Sequence, residues 1–158
     1  MISNVLTRWP AVTAGIGAML CITALGSLDQ AAQPLAWLMA PYGATMVILF
    51  GLPDSPLAQP RNIILGHLMT TLIGLVMVNM FEVNAWTMGA AVGLAVAFMI
   101  LTKTTHPPAG ANPLLVMLTG KSWMFLFNPV LIGTLLIVTI GVVYHRWICK
   151  RVYPIRWP

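Results

Sequence analysis

The chain has 158 residues, of which 59% are hydrophobic and only 7% are charged. A soluble domain carries roughly 25% charged residues, so this composition excludes a soluble globular protein and indicates a membrane protein with several spans. Eight Lys and Arg residues against three Asp and Glu residues give a net charge of +5. The cations gather after the last apolar run, which is typical of a cytoplasmic membrane anchor and not of a nucleic-acid-binding patch.

Six apolar segments follow one another along the chain, over residues 10–28, 35–52, 63–81, 85–101, 108–118 and 129–149. Most approach the roughly 20 residues that cross about 30 Å of hydrocarbon, whereas the fifth is too short to span as a regular helix. The connectors are short and leave no room for a soluble domain. We therefore predict an all-α, polytopic transmembrane helical bundle that forms one domain over residues 1–158.

The first segment resembles a signal sequence, because Arg8 precedes its apolar run. That run is longer than the apolar core of a typical signal peptide, and further spans follow it. We expect an uncleaved first helix.

The two halves of the chain, residues 10–81 and 85–149, resemble each other weakly. Pro41-Tyr42-Gly43-Ala44-Thr45 corresponds to Pro108-Ala109-Gly110-Ala111-Asn112, and Gly66 corresponds to Gly133. Each half then consists of a helix, a short Pro-x-Gly-Ala element and a second helix, with chance similarity between apolar segments as the alternative. If the two short elements cross the membrane, the chain has six spans in two inverted halves; if they dip in and return, it has four spans in two parallel halves. The loop charges favour six spans with both termini in the cytoplasm.

The most unusual stretch of the chain covers residues 104–113. Pro107, Pro108 and Pro113 lack amide protons, which predicts a break over residues 106–112 and a short helix after it. Lipid cannot hydrogen-bond the freed backbone, so such a break is tolerated only where it is buried in protein or faces water. The pattern therefore predicts a cavity or a polar interface at the break.

An anion site is the function that this break suggests. A helix that starts at residues 110–112 presents unpaired amides and the positive end of its dipole, and residues 41–45 supply a second helix start. Two such starts near the membrane midplane form a neutral-to-positive site, and no acid lies in either motif, which disfavours a cation site. The predicted substrate-binding residues are His106, Thr105, Gly110, Ala111, Asn112, Gly43, Ala44 and Thr45, and the predicted pathway or gating residues are Arg61, Asn62, His67 and Lys103.

Several of these candidates have a purely structural alternative. His106 is either a proton-sensitive donor that faces the anion or a cap that hydrogen-bonds a carbonyl at the break. His67 is either part of the pathway or an interhelical hydrogen-bond partner of Asp54, Thr70 or the backbone. Arg61 either attracts anions or pairs with Asp54.

Three further features have predictions of their own. Lys103 either marks the entrance to the pathway or extends toward the lipid headgroups. His145, beside a basic residue near the end of the last segment, is expected at the membrane interface. Small residues recur every four positions in the fourth segment, at Ala85, Gly89, Gly93 and Ala97, and predict close helix packing either inside the bundle or in a homodimer.

Two motifs carry a resemblance to a known family. Residues 105–114 read THPPAGANPL, and residues 50–62 read FGLPDSPLAQPRN, followed by Gly66 and His67. With these motifs the chain resembles, over nearly its whole length, the HPP family of integral membrane proteins, named for its His-Pro-Pro motif. The resemblance implies a small multi-span protein without a known catalytic activity, whose plant relatives in the chloroplast envelope and cyanobacterial relatives are associated with nitrite transport. Family descriptions usually count four spans, against the six favoured by the charges.

We therefore expect a transporter or channel for a small monovalent anion in a bacterial inner membrane, with nitrite as the best single candidate. Its expected partners are the anion, the lipid bilayer and further copies of the chain. We expect a homo-oligomer because a chain this small has few helices with which to enclose a pathway. We expect no enzyme activity, cofactor or metal, since the sequence contains no Ser/His/Asp set, nucleotide loop, acidic pair or metal-ligand spacing. The alternatives are a structural or regulatory subunit that moves no solute and a pore for small neutral solutes.

Overall fold

The computed structural model describes residues 10–31 and 37–155, and these residues form helices and connectors without a strand. The helices in chain order are α1 (Pro10–Ala31), α2 (Ala40–Gly51), α3 (Pro60–Met80), α4 (Ala85–Leu101), α5 (Asn112–Thr119) and α6 (Ile132–Val143). Wider turns of the π type lie at both ends of α6, over Leu126–Leu131 and Tyr144–Ile148, and the first of them has a kink at Asn128, whose backbone angles are non-helical (φ −132°, ψ 109°). Short 3-10 helices cover Pro56–Ala58 and Pro107–Ala111. The predicted all-α fold is confirmed. The predicted flank at Arg8 and the predicted start of the second segment at residue 35 lie outside the described residues.

Prolines and one capping box set the starts of most of these helices. A proline occupies the first turn of α2, α3, α5 and both 3-10 helices, where its missing amide costs no hydrogen bond. Asn84 caps the start of α4, and its side chain accepts hydrogen bonds from the Trp86 and Thr87 backbone amides. The Thr87 hydroxyl in turn accepts one from the Asn84 amide, which completes a capping box. This cap explains why the predicted fourth segment coincides with α4.

Three helical stretches are long and apolar enough to span a bilayer: Pro10–Gln30, Pro60–Met80 and Leu126–Ile148. α2 and α4 are apolar but shorter, with 12 and 17 residues. At 1.5 Å per residue they reach about 18 and about 25 Å. The fifth segment is short as predicted, because the 3-10 helix Pro107–Ala111 runs directly into the eight residues of α5.

Successive elements run in opposite directions through the bundle. In the pair α3 and α4, Arg61 at the start of α3 hydrogen-bonds Thr102 just beyond the end of α4. Further along α3, Met77 belongs to the same buried cluster as Ala91 in the first half of α4. α3 and α4 are therefore antiparallel, as two successive spans would be.

α2 packs on α6 in a parallel orientation. A Cβ built at Gly133 would lie 2.6 Å from the Tyr42 hydroxyl oxygen, and one built at Gly141 would lie 2.9 Å from the Leu49 side chain. These two glycines stand eight positions apart on one face of α6. They form two notches that receive the large side chains of α2.

The other short element shows the same packing with the two halves exchanged. Residues 107–119 run parallel to α3, where a Cβ at Gly66 would lie 3.6 Å from the Ala109 Cβ and one at Gly74 would lie 3.1 Å from the Val116 Cβ. Each of these four positions is 67 residues from its counterpart in the contact between α2 and α6. Each Pro-x-Gly-Ala element thus rests on the last helix of the other half, which is the relationship that two inverted repeats predict.

The residues that follow α6 fold back over the loop after α2. We call residues 149–155 the C-terminal strap. Burial raises the pKa of the Tyr153 hydroxyl in this strap, and the hydroxyl donates to the Ala58 carbonyl at 2.7 Å. Beneath the strap His145 is buried, with its Nε2 atom 2.9 Å from the Leu49 carbonyl oxygen. The strap thus covers the His145 side chain, with the Tyr153 ring 5.0 Å from the imidazole, and the position of His145 at the membrane interface stays a prediction.

The small-residue stripe of α4 faces outward. Ala85, Gly89, Gly93 and Ala97 are all exposed. A Cβ built at Gly89 or Gly93 would have no neighbour within 4 Å among the described residues. The stripe therefore does not pack inside this part of the chain, and of its two predicted uses the homodimer stays a prediction.

Candidate functional site

A pair of buried histidines meets at one threonine in the centre of the bundle. The Thr45 Oγ1 atom lies 3.0 Å from His67 Nε2 and 2.9 Å from His106 Nε2. The two imidazole centroids are 5.1 Å apart, and all three side chains have no exposed surface. α2, α3 and the break before α5 each supply one of them, so residues far apart in sequence converge on a single hydroxyl.

Both rings have a second hydrogen-bond partner on their other nitrogen. His106 Nδ1 lies 2.8 Å from the carbonyl oxygen of Leu57. His67 Nδ1 lies 2.9 Å from Asn112 Nδ2, and Asn112 has no exposed surface either. We call the side chains of Asn112, His67, Thr45 and His106 the histidine cluster. Together with the Leu57 carbonyl they form one continuous line of hydrogen bonds.

The partners of the two rings assign their protons, because some of those partners can play only one role. The Leu57 carbonyl only accepts, so His106 carries a proton on Nδ1. The Asn112 Nδ2 group only donates, so His67 Nδ1 carries no proton. When both rings are neutral, His67 is protonated on Nε2 and His106 is not. The Thr45 hydroxyl then accepts from His67 and donates to His106.

Local sequence features bring the break against α3. A Cβ at Gly66 would lie 2.9 Å from the His106 Cβ, so only a glycine beside His67 leaves the break this close to the helix. The Asn62 Nδ2 group donates to the Thr105 carbonyl at 2.9 Å, one turn before that contact. The amide and the glycine together place His106 opposite His67.

The structure brings together only part of the predicted site. Thr45, His67, His106 and Asn112 form the histidine cluster, whereas the other predicted substrate-binding residues lie elsewhere. The Thr105 hydroxyl lies 3.4 Å from the Met99 carbonyl oxygen, on the side of α4. Gly43, Ala44 and Ala111 are exposed, and Gly110 is partly exposed with no neighbour within 4 Å of a built Cβ in the described part of the chain.

The predicted anion site of unpaired backbone amides does not form at this break. The 3-10 helix continues into α5, and the Asn112 amide donates to the Ala109 carbonyl. In the other half the helix already starts at Ala40, so Thr45 lies in its second turn and not at its start.

Arg61 and Asn62 hydrogen-bond the turn between α4 and the break, and Lys103 lies in that turn. Arg61 is exposed and donates to the Thr102 carbonyl at 3.1 Å, and it forms no ion pair with Asp54 in the described structure. Lys103 is exposed and lies in the turn after α4. Its φ of 55° is in the left-handed region. His67 bonds Thr45 and Asn112, and neither Asp54 nor the Thr70 side chain is a partner of its ring.

Sequence reasoning missed the Leu57 carbonyl and the Tyr42 ring. The Tyr42 ring stands edge-on to His67 with centroids 5.2 Å apart, and Leu57 accepts from His106. Both residues lie in or next to motifs named above. However, a sequence does not indicate which aromatic ring will pack against a histidine, or which backbone carbonyl will accept its hydrogen bond. Residue 57 falls within the FGLPDSPLAQPRN run, which was the available signal.

The histidine cluster contains no fixed charge. No carboxylate, Lys or Arg contacts either imidazole within residues 10–31 and 37–155. In the same residues no group of three His, Cys, Asp or Glu side chains is placed to hold a metal ion. The Asn112 Oδ1 atom is buried without a hydrogen-bond partner, which leaves one acceptor free in the cluster. The cluster can change its charge only by gaining a proton, and the resulting charge is positive.

Comparison with known proteins adds a family to this geometry. The family profile described as "HPP, transmembrane region" matches residues 4–154. Two transmembrane proteins of Dictyostelium discoideum are each 36% identical to the chain, one over 157 residues that cover 94% of this chain and 54% of that protein. The other match extends over 129 residues and covers 77% of this chain and 42% of that protein. The chain thus spans about half the length of these curated relatives, and no solved structure gives a significant match.

Proposed function

Because the chain belongs to the HPP transmembrane family, we propose that this integral membrane protein transports a small monovalent anion, with nitrite as the first candidate, and binds it at the histidine cluster. One observation carries the proposal: the cluster is buried, and the only charge it can acquire is positive. An ionisable side chain inside a membrane protein is expensive to maintain and usually marks a pathway.

The sign and the size of the charge select the substrate. A protonated imidazole without a carboxylate partner is costly in a low-dielectric interior, and an arriving anion offsets that cost. One proton on the cluster balances one negative charge, which favours a monovalent ion over a divalent one. Nitrite fits this description and agrees with the nitrite transport associated with relatives in the family, while formate and nitrate are the obvious competitors.

The conformation described is closed to an ion. A groove of about 610 Å³ lies between α2 and the 3-10 helix Pro107–Ala111, but apolar residues such as Val47, Ile48 and Pro108 line it. The histidine cluster lies behind that lining with no exposed surface. Access therefore requires α2 and the 3-10 helix to separate, which makes a carrier with moving halves the favoured mechanism over an open channel.

Charge at the two ends of the bundle supports an orientation. The basic end, where α2, α4 and α6 finish, carries Arg61, Lys103, Arg146, Lys150 and Arg151 with a single acid, Asp54; the opposite end carries Asp29, Glu82 and Lys121. The positive-inside rule then places the basic end in the cytoplasm. Six passes of the chain put both termini on that side, in a bacterial inner membrane.

The proposed assembly is a homo-oligomer. The outward stripe of α4 presents four small residues to the membrane, so the backbone of a second copy can approach closely there. Each protomer retains its own histidine cluster in this arrangement. The expected partners are therefore the anion, the surrounding lipid and further copies of the chain, and no covalent chemistry or cofactor is involved.

A structural or regulatory subunit is the second candidate, and a specific observation favours it. The histidine cluster is fully buried, and Thr45 links three separate elements with hydrogen bonds of 2.9–3.0 Å. Such a cluster can serve only to fix α2, α3 and the break in one arrangement. A subunit of this kind moves no solute when it is alone in a bilayer.

The test is uptake into proteoliposomes that contain only this protein, with nitrite, nitrate, formate and chloride compared near neutral pH. Nitrous acid crosses bare lipid, so protein-free liposomes set the background. His106→Gln and Asn112→Ala are the site variants, and Thr139→Ala, an exposed threonine that bonds only within its own helix, is the matched control. Saturable nitrite uptake that is lost in both site variants and kept in the control supports the proposal. Folded wild-type protein that moves none of the four anions overturns it in favour of the subunit.

A further inference from the structure

We propose that the histidine cluster is a binding site for a single proton, held on His106, and that this proton is the coupling ion of transport. The inference rests on the proposed function for the coupling, but the proton site itself follows from hydrogen bonds alone. Two different proton arrangements fit the same heavy-atom positions, and they differ by one proton.

The first arrangement is the neutral one. Asn112 donates to His67 Nδ1, His67 Nε2–H donates to Thr45, the Thr45 hydroxyl donates to His106 Nε2, and His106 Nδ1–H donates to the Leu57 carbonyl. Every ring nitrogen has a partner of the right kind. In this arrangement the Thr45 hydroxyl does not donate to the Pro41 carbonyl, although that carbonyl lies within reach.

The second arrangement contains one proton more. The Pro41 carbonyl oxygen lies 3.0 Å from Thr45 Oγ1, so the hydroxyl can rotate to donate there instead. Thr45 then accepts from both Nε2–H groups, and His106 is an imidazolium that donates through both nitrogens. The proton is taken up from water on one side of the membrane and released to water on the other, and within the cluster only the hydroxyl hydrogen of Thr45 changes its direction.

Asn112 limits the site to one proton. His67 cannot take a second proton on Nδ1, because that nitrogen faces the Asn112 Nδ2 group, which is itself a donor. Rotating the amide by 180° would place its oxygen against the His67 carbonyl, to which Nδ2 now donates at 3.1 Å. The Thr71 hydroxyl, 2.9 Å from Nδ2, can donate or accept and fits either orientation, so the His67 carbonyl is the group that fixes the amide. The extra proton is therefore confined to His106.

Few other groups act on this proton. In the described structure the elements packed against the two rings present one further titratable side chain, Tyr42 of α2, which meets His67 edge-on. The Tyr42 hydroxyl points away and donates to the Pro129 and Val130 carbonyls. The loop after α2 contributes only the Leu57 carbonyl, and residues 107–119 contribute only an amide. Coupling then follows from charge: the imidazolium forms readily when an anion accompanies it, so one proton and one monovalent anion move together.

The first test reads the protons directly and does not depend on transport. Full-length protein with ¹⁵N-labelled histidine, in lipid bilayers, is examined by nitrogen NMR over a pH series, with His67→Gln and His145→Gln used to assign the signals. We expect His67 as the Nε2–H tautomer and His106 as the Nδ1–H tautomer when neutral, and His106 alone as the imidazolium at lower pH. Identical tautomers, or protonation of His67 before His106, overturn the proton site.

The second test measures coupling in proteoliposomes with an internal pH dye, a nitrite gradient near neutral pH and the membrane potential clamped by potassium and valinomycin. We expect one proton per nitrite above the protein-free background in wild type and in Thr45→Ser, which keeps the hydroxyl. In Thr45→Val we expect both fluxes to fall at least tenfold. Nitrite flux without proton movement overturns the coupling and leaves the proposed function intact. Absence of any anion flux, with the expected tautomers, overturns the proposed function and the coupling but supports the proton site.

Discussion

Gly66 and His106 are in direct contact: a Cβ built on the glycine would lie 2.9 Å from the Cβ of the histidine and 3.2 Å from the Thr104 carbonyl oxygen. Neither neighbour is the flexible end of a side chain, so neither can move without moving the break itself. The contact therefore sets the distance between α3 and the break, and through it the hydrogen bonds of the histidine cluster.

Gly66→Ala is expected to destabilise the folded protein, although alanine is the better helix former. Overpacking against a fixed backbone costs about 1–3 kcal/mol, and the shift also separates His106 from Thr45. The measurement is thermal unfolding in detergent together with anion uptake. The matched control is Gly89→Ala, where a built Cβ meets nothing within 4 Å in the described residues. Equal melting temperatures for the two variants would contradict the tight contact.

Tyr42→Phe is expected to lower stability by about 1 kcal/mol, the typical net contribution of an intramolecular hydrogen bond. The hydroxyl donates to the Pro129 and Val130 carbonyls at 3.1 and 3.0 Å, and phenylalanine keeps the ring beside His67. Thermal unfolding measures the loss. Because the ring remains, the nitrogen NMR signals of His67 should still report the same tautomer. A change of tautomer would mean that the Tyr42 hydroxyl helps to position the histidine.

Gly133→Ala and Tyr42→Phe are expected to be coupled. A Cβ at Gly133 would meet the Tyr42 hydroxyl oxygen at 2.6 Å, so removing that oxygen relieves part of the clash. In a double-mutant cycle, the double variant should lose less free energy of unfolding than the two single variants lose in sum, by about 0.5 kcal/mol or more. Additive losses would indicate that α2 does not rest on α6 through this notch.

The number of spans can be decided by cysteine labelling from one side of the membrane. Cys21 and Cys149 are buried and are replaced by alanine to give a background without thiols. Single cysteines then replace Arg61, Glu82 or Arg151, all of which are exposed. Six spans place positions 61 and 151 on one side and position 82 on the other. Four spans, with both short elements returning to the side they came from, place positions 82 and 151 together and position 61 opposite.

The double variant Gly89→Leu and Gly93→Leu is expected to weaken the proposed homo-oligomer, because large side chains on the stripe keep the backbones of two copies apart. Ala90→Leu adds similar bulk to an exposed position of the same helix outside the stripe and serves as the control. Mass measurement in native lipid gives the oligomeric state. A wild-type monomer, or an oligomer that persists in the double variant, would remove the stripe as the interface.

Much of the fold could be predicted from sequence where the signal is local. The apolar run over residues 85–101 predicts a segment that coincides with α4, because the run starts where Asn84 and Thr87 cap the helix in the structure. The break at His106 was also predictable, since three prolines in seven positions cannot continue a helix. The start of the last segment at residue 129 was predictable as well, because Asn128 just before it has non-helical backbone angles (φ −132°, ψ 109°) and the helix that leads into α6 begins after this kink.

The candidate site was predictable in part of its membership and not in its mechanism. Thr45 and Asn112 were paired because they occupy equivalent places in the two motifs, and both lie in the histidine cluster. The prediction of unpaired amides was wrong because the stretch before Asn112 forms a 3-10 helix, in which the Asn112 amide donates to the Ala109 carbonyl. The choice between a 3-10 helix and an open turn depends on packing. The exchange of partners between the halves depends on contacts between residues 42 to 92 positions apart, for which one sequence gives no evidence.

The docking of α2 on α6 has a consequence for how the chain is made. Tyr42 must find carbonyls that stand 87 and 88 positions later, and a ribosome adds 5–20 residues per second, so these partners arrive roughly 4–18 s after it. During that interval α2 is in the membrane or its insertion machinery without its permanent neighbour. The first half of the protein therefore completes its packing only when the last helix has been synthesised, and a chain that stops before α6 leaves both ends of the bundle unfinished.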